Sequence, residues 1–320
     1  MPRVVYSRHY NIGFYGLERL HPFDSKKYGR AWRCLKDHFG ASLRPMWIRP
    51  ERPACNDELL AVHTPEYLEK LRKPRNVAWA LELPPVRFLP RWVLDRHVLK
   101  PMRWATAGTV TAARAAIEHG FAVNLGGGYH HAKPSGGEGF CIYSDIALAV
   151  HSLRTEGLLA EDDRIAYVDL DAHQGNGVCH AFKRDKRFFI LDMYNSLIYP
   201  SHDTEARDRI DCGIPLTSDC HPEDYLRELQ ERLPVFVDSV SQSAKVGLAI
   251  YNAGTDVYKD DPLGMLNMTA ASILERDLFV VSELRRRGIP TVMLLSGGYT
   301  KVSYKLVADS VIRILEMESK

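Results

Sequence analysis

Asp171 and His173 stand two residues apart at the end of an apolar run, Ile165-Ala166-Tyr167-Val168-Asp169-Leu170. In extended chain, side chains at i and i+2 project to the same side. A carboxylate and an imidazole on one side of a strand end are a start on a divalent-metal site. Asp169, on that same side, would be a buried carboxylate in need of a partner. Gly175 and Gly177 then release the chain into a turn. One Asp-x-His pair is weak evidence by itself. Its weight comes from three other strand-like runs that also end in polar, glycine-rich turns.

Residues 121–125 run into Gly126-Gly127-Gly128-Tyr129-His130-His131, residues 246–252 into Ala253-Gly254-Thr255-Asp256, and residues 291–295 into Ser296-Gly297-Gly298-Tyr299. Asp171, His173 and Asp256 make a three-ligand set of two oxygens and one nitrogen. Such a set leaves a coordination position open for water, as catalytic zinc sites do. A metal there would lower the pKa of bound water toward about 7 and polarise a carbonyl. One of His130 and His131 could take a proton from that water and return it to a leaving amine. Each histidine needs an acceptor behind it to set its tautomer, and Asp169 and Asn176 are the candidates. Tyr299 offers a hydroxyl to a developing oxyanion. Taken singly, each part has a bland explanation: paired histidines are often structural, and an Asp after Gly-Thr is often a turn or cap residue. Their joint occurrence at strand ends is what argues for chemistry.

The elements that must position these residues alternate. Strands are expected at 4–6, 121–125, 165–170, 187–195, 246–252 and 291–295. Helices are expected at 26–39, after Thr64-Pro65, at 104–119, 145–154, 224–242 (interrupted by Pro234), 269–287 and 303–316. Thr64 reads as an N-cap with Pro65 at the first helical position. Gly120 and Gly288 read as helix stops. Residues 83–90 carry Pro84, Pro85 and Pro90, too many for helix or central strand, and read as a surface loop that could rim a cleft. His21 reads as a hydrogen-bonded loop histidine. Arg285-Arg286-Arg287 suits the negative end of a helix dipole better than a nucleic acid. The alternation predicts one α/β domain over residues 1–320, an open parallel sheet with helices on both faces. In such sheets, sites form at the carboxyl ends of the strands.

Bulk properties remove several classes. The 320 residues are 45% hydrophobic and 26% charged, an ordinary globular balance. A formal net charge of +2 makes no electrostatic case for direct nucleic-acid binding. No apolar run is long enough for a membrane span, and the start, Met1-Pro2-Arg3-Val4-Val5-Tyr6-Ser7, turns polar too soon for a signal peptide. Six cysteines without Cys-x-x-Cys spacing read as reduced thiols, which fits a cytoplasmic protein.

Four motifs in order carry a resemblance: Gly-Gly-Gly-Tyr-His-His-Ala-Lys with Gly-Phe-Cys downstream, Val-Asp-Leu-Asp-Ala-His-Gln-Gly-Asn-Gly, Asn-Ala-Gly-Thr-Asp with Asp-Pro-Leu-Gly, and Ser-Gly-Gly-Tyr. Together they resemble the zinc-dependent histone deacetylase family. The early Gly-Leu-Glu-Arg-Leu-His-Pro-Phe leans toward its class IV branch. The resemblance implies an arginase–deacetylase fold and hydrolysis of an acyl-lysine amide. It implies Asp171, His173 and Asp256 as zinc ligands, a set that also tolerates iron(II). It implies His131 as general base and acid, His130 as its electrostatic partner backed by Asp169, and Tyr299 as the carbonyl-polarising group. It further implies a lysine tunnel walled by Phe140 and Tyr199 with Gly128, Gly139 and Leu263 nearby, and a structural potassium site at Asp169, Asp171, His173, Asp192 and Met193.

Two departures from class I members stand out. Asn176 replaces Asp behind the second histidine, which should lower the basicity of His131. Tyr199 replaces Phe in the tunnel wall. The class IV branch is associated with long fatty acyl groups, and the glycines around Gly128 could leave room for such a chain. The partner implied is an acyl-lysine protein or peptide. The competing substrate is a small acetylated polyamine, which an acidic residue at the rim would favour. A two-manganese ureohydrolase needs a carboxylate two residues after the His, where Gly175 stands. A non-enzymatic binding protein is disfavoured by the intact ligands and Tyr299.

Overall fold

The computed structural model describes residues 1–13, 24, 26–242 and 244–318. His21 and the motif containing it lie outside the described residues. Among those described, the strands β1 (Arg3–Val5), β2 (Trp47–Ile48), β3 (Phe121–Asn124), β4 (Arg164–Asp169), β5 (Phe188–Asn195), β6 (Cys212–Leu216), β7 (Val246–Asn252) and β8 (Thr291–Leu294) form one sheet. Their order is β2-β1-β3-β8-β7-β4-β5-β6, and every pairing is parallel. Parallel neighbours need crossovers, and the crossover helices cover both faces.

Side-chain alternation divides the core accordingly. In β4, Ala166 and Val168 join one apolar cluster, while Ile165 and Tyr167 join the other. The first cluster is closed mainly by the helices Lys27–Phe39, Pro222–Ser241, Ala270–Arg286 and Ser303–Glu318. The second is closed mainly by Lys100–His119 and Asp145–Thr155. With both faces buried, the central strands carry continuous apolar runs.

Several expectations held locally. Thr64 caps its helix, its hydroxyl accepting from the Tyr67 N–H at 3.2 Å. Gly120 ends its helix at φ +84°. All six cysteines are free thiols. No helix among the described residues is long and apolar enough to cross a membrane.

Others failed for identifiable reasons. The 83–90 stretch contains a 3₁₀ helix, Pro84–Phe88. Two prolines at its start preset φ and give up N–H groups that the first turn does not use. Pro234 does not interrupt Pro222–Ser241. Proline costs that helix one bond, and the packing of Leu233, Phe236 and Val237 into the core holds it together. A helix also begins at Asn176, where a turn was expected. The edge strands β2 and β6 were not anticipated. β2 is two residues long, and β6 contains Gly213 and Pro215, which the sheet edge tolerates.

Candidate active site

β3, β8, β7 and β4 are consecutive in the sheet, so their carboxyl ends bring the four motifs to one place. Asp171 and His173 lie beyond the end of β4, so strand periodicity does not aim them. Local bonding does. The His173 N–H donates to Asp171 Oδ1 at 3.0 Å. Buried Arg276 bridges the loop ends, donating through Nη1 to the carbonyls of Leu170 at 3.0 Å and Gly254 at 2.8 Å.

The ligand atoms of Asp171, His173 and Asp256 lie within 4.8 Å of one another, and all three residues are buried. His173 Nδ1 is 3.1 Å from Asp171 Oδ1 and 3.0 Å from Asp256 Oδ2. Burial opposes charge on this imidazole, but its bonds to the two carboxylates more than reverse that and push it up to about 10. Burial, then the charge of Asp171, pushes Asp256 up to about 7. Two mutually repelling carboxylates and one imidazole nitrogen at such separations suit a small divalent cation. The carboxylates are also oriented from behind: the Ala172 N–H donates to Asp256 Oδ1 at 2.9 Å, and the Gly297 N–H to Asp171 Oδ2 at 2.8 Å. A Cβ on Gly297 would run into both acids, so the loop can approach them only as glycine.

The rings of the paired histidines lie side by side, with centroids 4.0 Å apart. His130 Nδ1 is 2.9 Å from Asp169 Oδ2. Asp169 also accepts from the Tyr167 hydroxyl at 2.6 Å and from Asn252 Nδ2 at 2.9 Å. Burial works against charge on His130, but Asp169 and Asp171 outweigh it and hold it at about 9. His131 Nδ1 is 2.8 Å from Asn176 Oδ1. Burial, followed by repulsion from His130 and His173, keeps His131 well below the usual imidazole value. The Asn176 bond acts in the opposite direction but ranks below these effects, so the imidazole stays depressed. One imidazole is biased toward its charged form and its neighbour toward the neutral form.

Tyr299 lies beside Phe140 and His173, with ring centroids 5.7 Å and 6.1 Å away. Burial and the Asp256 and Asp171 charges raise its phenol, which keeps the proton on the hydroxyl. Its backbone N–H donates to Asp261 Oδ2 at 2.7 Å, while Asp261 Oδ1 accepts from the Leu263 N–H at 3.0 Å. Asp261 thus ties the tyrosine loop to the Leu263 loop.

Gly128, Gly139 and Phe140 line an apolar pocket with His130 and Tyr299. It continues past Leu81, Leu83, Val98 and Met102 to Tyr28. Tyr199 stands on another side of the site, its ring 5.1 Å from His131, and neither it nor Leu263 lines this pocket. The space beside Gly128 is not spare room: a Cβ there would meet Asn252 and Ser296.

Asp169 and Asp192 are register partners across β4 and β5. Asp192 Oδ2 accepts from the Gly175 N–H at 2.9 Å, and its buried Oδ1 has no hydrogen-bond partner among the described residues. Burial, then the charge of Asp169, raises the Asp192 carboxyl. Met193 follows it, buried.

Three supporting residues escaped the sequence reading. Asp145 accepts from the N–H groups of Gly128 at 2.8 Å and Tyr129 at 2.9 Å, fixing the triple-glycine loop. An acid opening a helix just after the Gly-Phe-Cys motif was its available signal. Asp261 sat inside the quoted Asp-Pro-Leu-Gly. Lys27 had no signal: it is buried in the first long helix and donates to the carbonyls of Ser296 at 2.7 Å and Gly297 at 2.9 Å. Lys27→Met should remove the donor to the buried Ser296 carbonyl, while Gly297 keeps the Thr255 N–H at 3.2 Å, and lower unfolding free energy by about 1–3 kcal/mol in denaturant titrations.

Comparison with known proteins agrees with this architecture. Residues 21–315 match the histone deacetylase domain model. Histone deacetylase 2 of Arabidopsis thaliana is 42% identical over 309 residues, covering 96% of this chain and 77% of the relative. The crystal structure of the HDA15 HD domain superposes with a TM-score of 0.75 at 18% identity, covering 99% of this chain and 88% of that one. A histone deacetylase homologue from Aquifex aeolicus gives 0.73 at 22% identity, covering 100% and 84%. The chain belongs to the histone deacetylase family.

Proposed function

We propose that this chain, as one domain over residues 1–320, hydrolyses the amide of an acylated lysine side chain, releasing a carboxylate and the free amine. The observation that carries the reading is the convergence of Asp171, His173 and Asp256 with His130 held by Asp169, His131 held by Asn176, and the ring of Tyr299. Asp171, His173 and Asp256 would hold zinc, or iron(II), which supplies Lewis acidity toward the acyl carbonyl and the attacking water. Asn176 Oδ1 accepts from His131 Nδ1–H, which leaves the Nε2 lone pair to take a proton from water and return it to the departing amine. His130, held charged by Asp169, supplies fixed positive potential. Tyr299 donates to the carbonyl oxygen as negative charge develops there. Phe140 and Tyr199 flank the lysine stem with Gly139 and Leu263 near the mouth. Asp169, Asp171, His173, Asp192 and Met193 would surround a structural potassium ion, which would meet the unpartnered Asp192 oxygen.

The aliphatic pocket behind Phe140 and Tyr299 supports a long acyl chain as substrate, consistent with a class IV-like protein. Each buried methylene contributes about 0.8 kcal/mol, so a chain filling the pocket should be preferred over acetyl by far more than tenfold in kcat/KM. Hydrolysis of acetyl-, octanoyl- and myristoyl-lysine versions of one peptide tests this; a marked acetyl preference would remove the long-chain reading. An acylated polyamine is the second reading. Glu82, close to Gly139 and Tyr199, provides an acidic rim residue that favours it. The same assay with acetylspermidine separates the two.

A further inference from the structure

The two departures from class I members, Asn176 and Tyr199, meet at one carboxylate. Asn176 Nδ2 donates to Glu138 Oε1 at 2.5 Å and to Asp203 Oδ2 at 3.1 Å. Glu138 also faces the Tyr199 hydroxyl, and together with burial raises that phenol. Lys133 Nζ lies 2.9 Å from Glu138 Oε1 and 3.0 Å from Asp203 Oδ2, and His180 Nε2 lies 2.9 Å from Asp203 Oδ2. Both acids are therefore anchored independently of Asn176.

A carboxylate only accepts hydrogen bonds. Two of them converging on one end of the Asn176 amide require that end to be the NH₂ group and use both of its protons. The other end is then oxygen, and it faces His131 Nδ1. That oxygen can only accept, so the His131 proton is confined to Nδ1 and the lone pair to Nε2. Had an Asp stood at 176, it would be a third carboxylate against Glu138 and Asp203, where like charges destabilise one another. The neutral amide fits this acidic surround and still delivers an acceptor to the imidazole.

We infer that Glu138, with Asp203, is a positioning residue for hydrolysis: it locks the Asn176 amide in the orientation that fixes the tautomer of His131. The inference deepens the proposed reaction and rests on that reading for its effect on turnover. Loss of an outer partner of this kind costs about 10- to 100-fold. In the zinc-loaded full chain, Glu138→Ala should lower kcat by that factor while the melting temperature stays near the parent's. Glu138→Gln, which keeps an acceptor oxygen for Asn176, should restore most of it. Asn176→Asp should be more damaging in the parent than in the Glu138→Gln background. ¹⁵N spectra of histidine-labelled protein, with His131 assigned through His131→Ala, should show Nδ1–H in the parent and a mixture of tautomers in Glu138→Ala. Unchanged kcat in Glu138→Ala, a Gln variant as poor as the Ala variant, or a fall in kcat with the tautomer unmoved would each overturn the inference. The tautomer readout needs no turnover, so a parent inactive on every acyl-lysine peptide would sink the proposed reaction and still leave this orientation testable.

Discussion

Tyr299→Phe is expected to lower kcat by about 10²–10³-fold, the cost of removing one preorganised oxyanion donor, while metal content and melting temperature stay close to the parent's. In the proposed reaction the hydroxyl acts only at the stage at which the carbonyl oxygen gains charge, so KM should move far less than kcat. The ring would remain where Phe140 and the Asp261-anchored backbone hold it. The variant is a clean subtraction because the phenol is kept protonated by burial and by Asp256 and Asp171. Steady-state kinetics beside a metal assay measure it. A loss of less than threefold would mean that another donor serves the oxyanion.

Asp256→Asn is expected to act in opposite directions on function and stability. Partners one shell away from a metal cost 10- to 100-fold in affinity when removed, so loss of Asp256, proposed as a direct ligand, should weaken zinc binding by at least about 10²-fold and abolish turnover at stoichiometric zinc. The metal-free fold should not suffer. Burial and Asp171 hold the Asp256 carboxyl near 7, above its ordinary range near 4. An acid whose pKa is raised on folding binds its proton more tightly in the native state. It therefore costs stability as pH rises from its unfolded value through its folded one. In chelator at pH 8 the Asn variant should be at least as stable as the parent, and any gain should shrink toward pH 4. Thermal melts across that range check the sign. A variant destabilised at pH 8 but not at pH 4 would contradict it.

Such an opposition would be characteristic of a site selected for chemistry over packing. Asp171, His173, Asp256, the histidine pair and Tyr299 sit in glycine-rich turns after apolar runs. A parallel sheet sends such turns to one edge, so local pattern plus one topological rule brought them together. Partners from distant segments left no local trace. Lys27 meets Ser296 across 269 residues, and nothing in Lys26-Lys27-Tyr28 marks the second lysine as buried. Glu138 sits in Gly137-Glu138-Gly139, a stretch that reads as a polar loop, and its value emerges only when Asn176, Tyr199 and Lys133 close around it. The unexpected helix from Asn176 belongs to the same category. Asn and Gly are weak helix formers, and the turn is fixed instead by backbone bonds such as Val178 N–H to the His130 carbonyl at 3.1 Å.

The most direct test is a metal titration read as hydrolysis. Protein stripped by chelator should cleave no acyl-lysine peptide, and zinc should restore turnover linearly until one equivalent per chain is bound, with Asp256→Asn failing to respond over that range. Turnover that survives chelation, or one zinc bound tightly by the parent with no acyl-lysine peptide cleaved, would contradict the account.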